Sequence, residues 1–279
     1  MRRASTSLGT NGFLGFGSNV MTTPRILIIA GSDSGGGAGI QADIKTVTML
    51  QGHALTAITA ITAQNTLGVQ AVMPVPTEMV IAQIDSVIAD IGVDAVKIGM
   101  IGSPETADAV ADRLEHLAVP IVFDPVMVAT SGSVLADEAT IAAFGRLMRM
   151  ASVVTPNVPE LEALGGEEAV LAHGCHLLAK GGHAGGHMIV DRLISPTSGE
   201  ISRLEAKRFD TEDTHGTGCT LASALATGLG RGFDIEKAFE QAISFVRIAI
   251  IEAPGLGAGH GPLGQQYVTD FQWGERDPD

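Results

Sequence analysis

Basic residues are in short supply in this chain: 17 Lys and Arg stand against 31 Asp and Glu, a formal charge of −14. That balance argues against a general nucleic-acid or anionic-membrane surface, leaves room for a local basic pocket, and makes each lysine informative. Cysteine is scarcer still. Cys175 and Cys219 are the two in 279 residues, with no spaced framework for a disulfide scaffold or a zinc site; this fits a reducing compartment, and a cytoplasmic protein is expected. No apolar run reaches the roughly 18 residues of a membrane span. The first twenty residues, MRRASTSLGTNGFLGFGSNV, lack the apolar stretch of about 7–15 residues that a secretory signal needs, and their amphipathicity is poor for an organellar transit segment. Residues 1–20 are expected to be a disordered extension, with Met21 as the start. No GxxxxGK[ST] occurs, so a P-loop is unsupported. Neither an internal repeat nor a linker interrupts the chain, and one domain over 21–265 is expected, followed by a polar tail over 266–279.

What is present is alternation. RILIIAG, from Arg25, precedes a helical pattern near 39–51; ALTAITAIT precedes one near 78–91; AVKIGM precedes a helix opened by Ser103 and Pro104; IVFDPV precedes one near 137–150. Strands alternating with helices of about 10–15 residues predict βαβ units and a mostly parallel sheet covered on both faces. HMIVDRLISPTSGEISRL reads as a hairpin, and helices near 217–230 and 235–252 close the chain. Ligands in such sheets bind at the carboxyl ends of strands, so the informative loops are AGSDSGGGAG, AQNT, KIGM, DPVM, TPNVPE and KGGH.

Each loop admits a structural account beside a chemical one. Gly37, Gly39 and Ala42 satisfy GxGxxA, but no acidic residue closes the second strand, which argues against a nicotinamide site. Asp43 falls in the first turns of a helix, where a carboxylate complements the dipole. Gln64 and Asn65 form a turn or meet a ligand; Asp124 ends a strand or faces a metal. Asn157 and Glu160, three apart at a helix start, make a capping box or offer oxygens that hold Mg²⁺ through water. Lys180 ends an apolar run, where an ammonium must reach an anion or water, and a phosphate would serve. His173, His176, His183, His187 and His215 lack metal-ligand spacing and read mostly as surface or loop residues. DTHGTGCT puts Gly216 to Cys219 ahead of small helix formers. That is either an ordinary turn with a packing cysteine, or a helix N-terminus that binds an anion and lowers a thiol's pKa.

In order, GSDSGGGAGIQADIKT, TAQNT, KIGM, DPVMVATSG, TPNVPE, LLAKGGH and THGTGCT resemble the hydroxymethylpyrimidine and phosphomethylpyrimidine kinases of thiamine biosynthesis, within the ribokinase-like superfamily. The resemblance runs from Arg25 to about Pro262. It implies a three-layer α/β/α fold, ATP with Mg²⁺ as phosphoryl donor, a small pyrimidine substrate and a homodimer. By the same resemblance Cys219 stands where most ribokinase relatives carry an aspartate base, and the N–H groups of Gly216, Thr217 and Gly218 form the anion hole with it. Gln64 and Asp43 would hydrogen-bond the aminopyrimidine ring, with Ala38, Met100 and Val126 shaping its pocket. Asp124 and Glu160 would form the Mg²⁺ side, directly or through water, Asn157 and Thr217 would meet phosphate, and Lys180 would neutralise the ATP phosphates.

The chain departs from the family between Glu160 and Lys180, where LEALGGEEAVLAHGCHLLA is shorter than usual, so a truncated or rearranged helix is expected there. Two other readings compete: a pyridoxal or pyridoxine kinase on the same scaffold, and a non-catalytic binding protein, whose sign would be loss of the anion-hole, metal-side or lysine residues.

Overall fold

The computed structural model describes residues 23–129, 132, 135–183, 187–269 and 271. The expected extension over 1–20 lies outside them. The chain runs through β1 (Arg25–Asp33), α1 (Gly39–Met49), β2 (His53–Asn65), β3 (Gly68–Pro74), α2 (Thr77–Asp90), β4 (Ala95–Ile98), α3 (Pro104–Leu114), β5 (Ile121–Phe123), α4 (Glu138–Met150) and β6 (Val153–Val154). It continues through α5 (Val158–Ala163), α6 (Glu167–Leu171), β7 (His176–Ala179), β8 (Met188–Ser195), β9 (Gly199–Lys207), α7 (Thr217–Gly230) and α8 (Ile235–Ile251).

β1 is apolar throughout its middle because both its faces are covered. Ile26 and Ile28 turn into one core with α1, α7 and α8, and Leu27 and Ile29 turn into the other with α2, α3 and α4. The period of two along the strand thus generates the two helical layers. α7, with its run of Ala, Gly and Ser, is small enough on all sides to be buried: Ala222, Ala224 and Ala226 are fully enclosed, and a Cβ on Gly230 would lie 2.7 Å from Ile26 Cδ1.

The nine strands are ordered β3-β2-β1-β4-β5-β6-β7-β8-β9. Pairing is parallel from β2 to β7, with β3 antiparallel at one edge and β8 and β9 antiparallel at the other. β1 pairs with β2 on one side and β4 on the other, so the chain reverses direction across the sheet there and the loops after β1 and β4 part to leave a crevice. The helix caps follow their sequence signals: Ser103 accepts from Thr106 N at 3.2 Å with Pro104 in the first turn, and Asp137 accepts from Thr140 N at 2.8 Å.

Three features depart from the sequence reading or refine it. β3 is an edge strand, exposed along most of its length, and so lacks the apolar pattern that would announce it. The short segment before Lys180 resolves into two brief helices, α5 and α6. The polar tail is packed at its start, since Val268 is buried and the Phe271 ring meets Phe245 edge-on at 5.4 Å.

Candidate active site

A cavity of about 690 Å³ opens along the carboxyl ends of the strands. The sheet order divides its walls. Residues following β1, β2 and β4 form one arm, those following β5, β6 and β7 the middle, and β8, β9 and α8 the other arm.

The first arm is organised by Asp33, which is buried at the end of β1. Its Oδ1 accepts from Gly35 N at 2.8 Å, and its Oδ2 accepts from Gly37 N at 3.1 Å and Ala38 N at 2.8 Å. His215 Nε2 reaches the same Oδ2 at 2.9 Å. Burial works against the charge on Asp33, but the His215 hydrogen bond and the N–H groups of Ala38 and Gly35 hold its pKa below the ordinary value. An ionised acceptor there makes His215 Nε2 the protonated nitrogen. As placed, Gln64 Nε2 lies 3.2 Å from that nitrogen and Gln64 Oε1 lies 3.1 Å from Thr62 Oγ1. Thr62 has one hydroxyl proton and gives it to Ser32 O at 2.9 Å. Turning the amide over suits these groups better: its NH₂ donates to Thr62 Oγ1, and its oxygen shares the single His215 Nε2–H with Asp33 Oδ2. Gln64 thereby faces the cavity as a fixed amide beside Ala38 and Met100.

The glycine loop fits against the start of α7 with no tolerance. Gly216 has φ +87°, and a Cβ there would lie 1.9 Å from Gly37 O. A Cβ on Gly37 would lie 2.4 Å from His215 Cδ2. Gly216 caps α7, and the first-turn N–H groups after it have no acceptor within the helix, which makes that end electropositive. Thr217 Oγ1 donates to Thr214 O at 2.8 Å, and Gly218 closes on the middle of the cavity: its Cβ would sit 3.3 Å from Lys180 Nζ and 3.6 Å from Asp124 Oδ2.

Lys180 Nζ donates to Asp124 Oδ1 at 2.8 Å and lies 3.9 Å from Glu160 Oε2. Thr155 Oγ1 donates to the same Asp124 oxygen at 2.9 Å. Burial opposes the charge on Asp124, yet Lys180, Lys97 and these hydrogen bonds keep its pKa low; burial pushes that of Glu160 up, against the pull of Lys180. Asn157 and Glu160 form the capping box of α5, with Asn157 N to Glu160 Oε2 at 2.8 Å and Glu160 N to Asn157 Oδ1 at 2.9 Å. The cap and the cavity position are therefore compatible: both residues line the cavity, as does Val126.

Two expectations are corrected beneath this floor. Asp43 does not border the cavity; it is fully buried, with its carboxylate on Lys97 Nζ at 2.9 and 3.1 Å and on Ser223 Oγ at 2.6 Å. A ring contact by Asp43 is replaced by an ion pair that fixes Lys97. The Cys219 thiol is raised rather than lowered. Burial pushes it up to about 11, with Asp43 and Asp124 acting in the same direction and outweighing Lys97 and the Gly39 N–H.

In the far arm Ile189, Ile243, Val246 and Ile250 supply an apolar lining, and the Arg247 guanidinium lies 5.2 Å over the Phe209 ring.

The sequence model of the family described as phosphomethylpyrimidine kinase matches residues 33–264. The chain belongs to the phosphomethylpyrimidine kinase family. A hydroxymethylpyrimidine/phosphomethylpyrimidine kinase from Rhizobium meliloti is 45% identical over 258 residues, 86% of this chain and 96% of that protein. Among solved structures, a phosphomethylpyrimidine kinase from Clostridium difficile superposes with TM-score 0.70 at 36% identity, over 82% of this chain and all of that one (100%). An ADP complex of a Bacillus subtilis pyridoxal kinase superposes with TM-score 0.80 at 31% identity, over 88% of this chain and 98% of that one. The three-layer ribokinase-like fold is thus shared across both kinds of kinase.

For this phosphomethylpyrimidine kinase family member, Asp33, His215 and Lys97 are the cavity residues that sequence reading passed over. His215, expected among surface or loop histidines, is buried at 7% exposure. The signal available was its place directly before the glycine turn. Lys97 stood in KIGM as an apolar-strand lysine, the same anomaly that singled out Lys180. Among the described residues no three His, Cys, Asp or Glu side chains gather as a metal cage. The donor set suits a hard cation that brings its own oxygen ligands: Asp124 and Glu160 both face the Lys180 ammonium, at 2.8 and 3.9 Å, and Mg²⁺ characteristically takes one or two carboxylates plus phosphates and water.

Proposed function

We propose that this protein phosphorylates the hydroxymethyl group of 4-amino-5-hydroxymethyl-2-methylpyrimidine with ATP, and then phosphorylates the resulting monophosphate, in thiamine diphosphate biosynthesis. The observation that carries the reading is the convergence of the α7 N-terminus, Lys180 and Asp124 on one point of a cavity whose near wall presents the fixed Gln64 amide. Phosphoryl transfer runs mainly on positioning and charge stabilisation, and this point supplies both. The high identity to relatives named for the pyrimidine activity supports the substrate.

The ring lies against Ala38, Met100 and Val126, and Gln64, able to donate and accept, reads its amino group and adjacent nitrogen. The ATP base occupies the apolar far arm, and Lys180 and Asn157 meet its phosphates. Asp124 and Glu160 would hold Mg²⁺, directly or through water, and the ion would supply charge neutralisation at the transferring group. The N–H groups of Gly216, Gly218 and Cys219 receive the negative oxygens of that group, Thr217 N being engaged by Thr214 O at 3.3 Å, and Cys219, as thiolate, takes the proton of the acceptor hydroxyl. Asp43 holds Lys97 and makes no substrate contact. The protein acts in the cytoplasm as a homodimer, which the exposed Leu67, Met73 and Met79 around β3 support as apolar surface in need of a cover. One domain spans 21–265 together with the packed start of the tail. No helix among the described residues is long and apolar enough to cross a membrane.

A second reading, pyridoxal kinase, is favoured by the TM-score of 0.80 to the Bacillus subtilis enzyme. Turnover with Mg-ATP and, in parallel, hydroxymethylpyrimidine, its monophosphate and pyridoxal, with products identified by mass, tests both. Conversion of both pyrimidines with slow pyridoxal is expected. Pyridoxal turned over best would move the protein to vitamin B6 salvage, and no turnover would refute the kinase reading.

A further inference from the structure

We propose that Lys97 is a positioning residue for phosphoryl transfer: its buried ammonium, anchored by Asp43 beneath Cys219, is the fixed cation that sustains negative charge on the Cys219 sulfur. The inference rests on the role given to Cys219 above, in which the O–H bond of the acceptor breaks and an S–H bond forms, the freed oxygen pair attacks the γ-phosphorus of ATP, and the bond from that phosphorus to its bridging oxygen breaks to release ADP.

Placement carries the argument. Lys97 pairs with Ile28 across the parallel β1–β4 ladder, so its side chain leaves the sheet on the same face as Ile28, toward α1 and α7. There it meets Asp43 of α1 at 2.9 Å, with no part of either side chain exposed to solvent (0% each). Asp43 in turn accepts from Ser223 of α7 at 2.6 Å. Ser223 follows Cys219 by one helical turn on the same face of α7, so the chain Lys97–Asp43–Ser223 lies directly under the thiol. The ammonium is also pressed to the strand end: a Cβ on Gly99 would be 2.8 Å from Lys97 Nζ. Lys97 and Cys219 border the same cavity. An ammonium has three donors, and the two Asp43 oxygens leave one for that side.

Stability alone does not account for such a pair, because exchanging a buried ion pair for well-packed apolar residues is often neutral or stabilising. The charges that act on Cys219 come from every neighbouring element: Lys97 from β4, Asp43 from α1, Asp124 after β5 and Lys180 after β7. Lys97 is the largest influence favouring the thiolate. Its own pKa is held above the lysine value, the attraction of Asp43 overcoming the effect of burial, so it stays charged across the working range.

The test is alkylation of Cys219 by iodoacetamide in the full chain without substrates, read by peptide mass spectrometry between pH 8 and 10, with the buried Cys175 as internal reference. Lys97→Met is expected to slow alkylation about tenfold at a given pH, the equivalent of one pKa unit, and Asp43→Asn to speed it by a similar factor. Loosened packing would speed both. Should Lys97→Met fail to fold, the double variant Lys97→Met/Asp43→Asn leaves no lone charge, and it must alkylate more slowly than Asp43→Asn alone. Rates moving in one direction in both single variants, or a double variant indistinguishable from Asp43→Asn, would overturn the proposal. Because the reading needs no turnover, its failure is separable from failure of the substrate assignment.

Discussion

Raising the pH should accelerate this enzyme, and Cys219→Ala should abolish the acceleration. Burial pushes the Cys219 thiol up to about 11, so at pH 8 about one molecule in a thousand carries the thiolate, and each further pH unit multiplies that fraction about tenfold. A base of such high pKa is scarce but strong, and the rate of proton removal follows its ionised fraction. Lys97 and Lys180 are both held above the ordinary lysine value, chiefly by Asp43 and by Asp124 against the effect of burial, and do not discharge in this window. The expected profile of log kcat for hydroxymethylpyrimidine at saturating Mg-ATP, followed by ADP release, climbs with a slope near one from pH 7 to 10. Cys219→Ala loses about 10²-fold or more at pH 9, the scale of a positioned base, and its profile is flat. Cys219→Asp, whose carboxylate starts from an ordinary value near 3.9, recovers part of the rate, with its rise displaced to lower pH than that of the thiol. A flat wild-type profile, or near wild-type turnover in Cys219→Ala, would refute the reasoning and leave the cysteine as a packing residue.

Gln64→Ala should raise KM for the pyrimidine about tenfold or more with KM for ATP unchanged, the loss of one or two hydrogen bonds to the ring; equal effects on both would remove Gln64 from the pyrimidine wall. Gly216→Ala should lower Tm and activity together, because the new Cβ would meet Gly37 O at 1.9 Å in a left-handed backbone at φ +87°, and an unchanged melting curve would show that the glycine loop can yield. Asp33→Asn should weaken the protein at neutral pH and flatten its acid dependence. The folded-state pKa of Asp33 is depressed by His215 and the loop N–H groups, against burial. Its contribution is therefore present above the unfolded carboxylate value near 3.9 and is lost as pH falls through the folded value. Urea unfolding from pH 3 to 7 compares the two proteins, and parallel curves would place the anchor elsewhere.

The layers and the line of the site were legible from the chain alone because their causes are local. Continuous apolar strands such as RILIIAG, caps such as Ser103-Pro104 and Asn157 with Glu160, and glycine turns such as Gly216 act over a few residues, and each appears in the structure at its expected place. The helical and strand periods then assign faces without further information. β3 escaped because an exposed edge strand has no core to impose a pattern on it. The short α5 and α6 were legible as a shortening of the segment, though not as two helices.

Charge was where local reading failed. A carboxylate four residues after Gly39 and a thiol at a helix start have the same local surroundings whether they face a ligand or the core; what separates them is the element packed on top. Asp43 turned inward because β4 brings Lys97, some 54 residues later, to within 3.1 Å, and α7 brings Ser223 from a separation of 180. His215 left the surface because Asp33, 182 positions earlier, needed a donor. The Cys219 thiol rose because burial, with Asp43 from α1 and Asp124 after β5, costs a thiolate more than Lys97 and the Gly39 N–H return. The sequence by itself determined the order of the core strands and the helices packed on them, the placing of glycines and the loops where chemistry collects. Only the tertiary structure decided which charged groups face the cavity, since the pairing and burial that govern ionisation are set by residues distant along the chain.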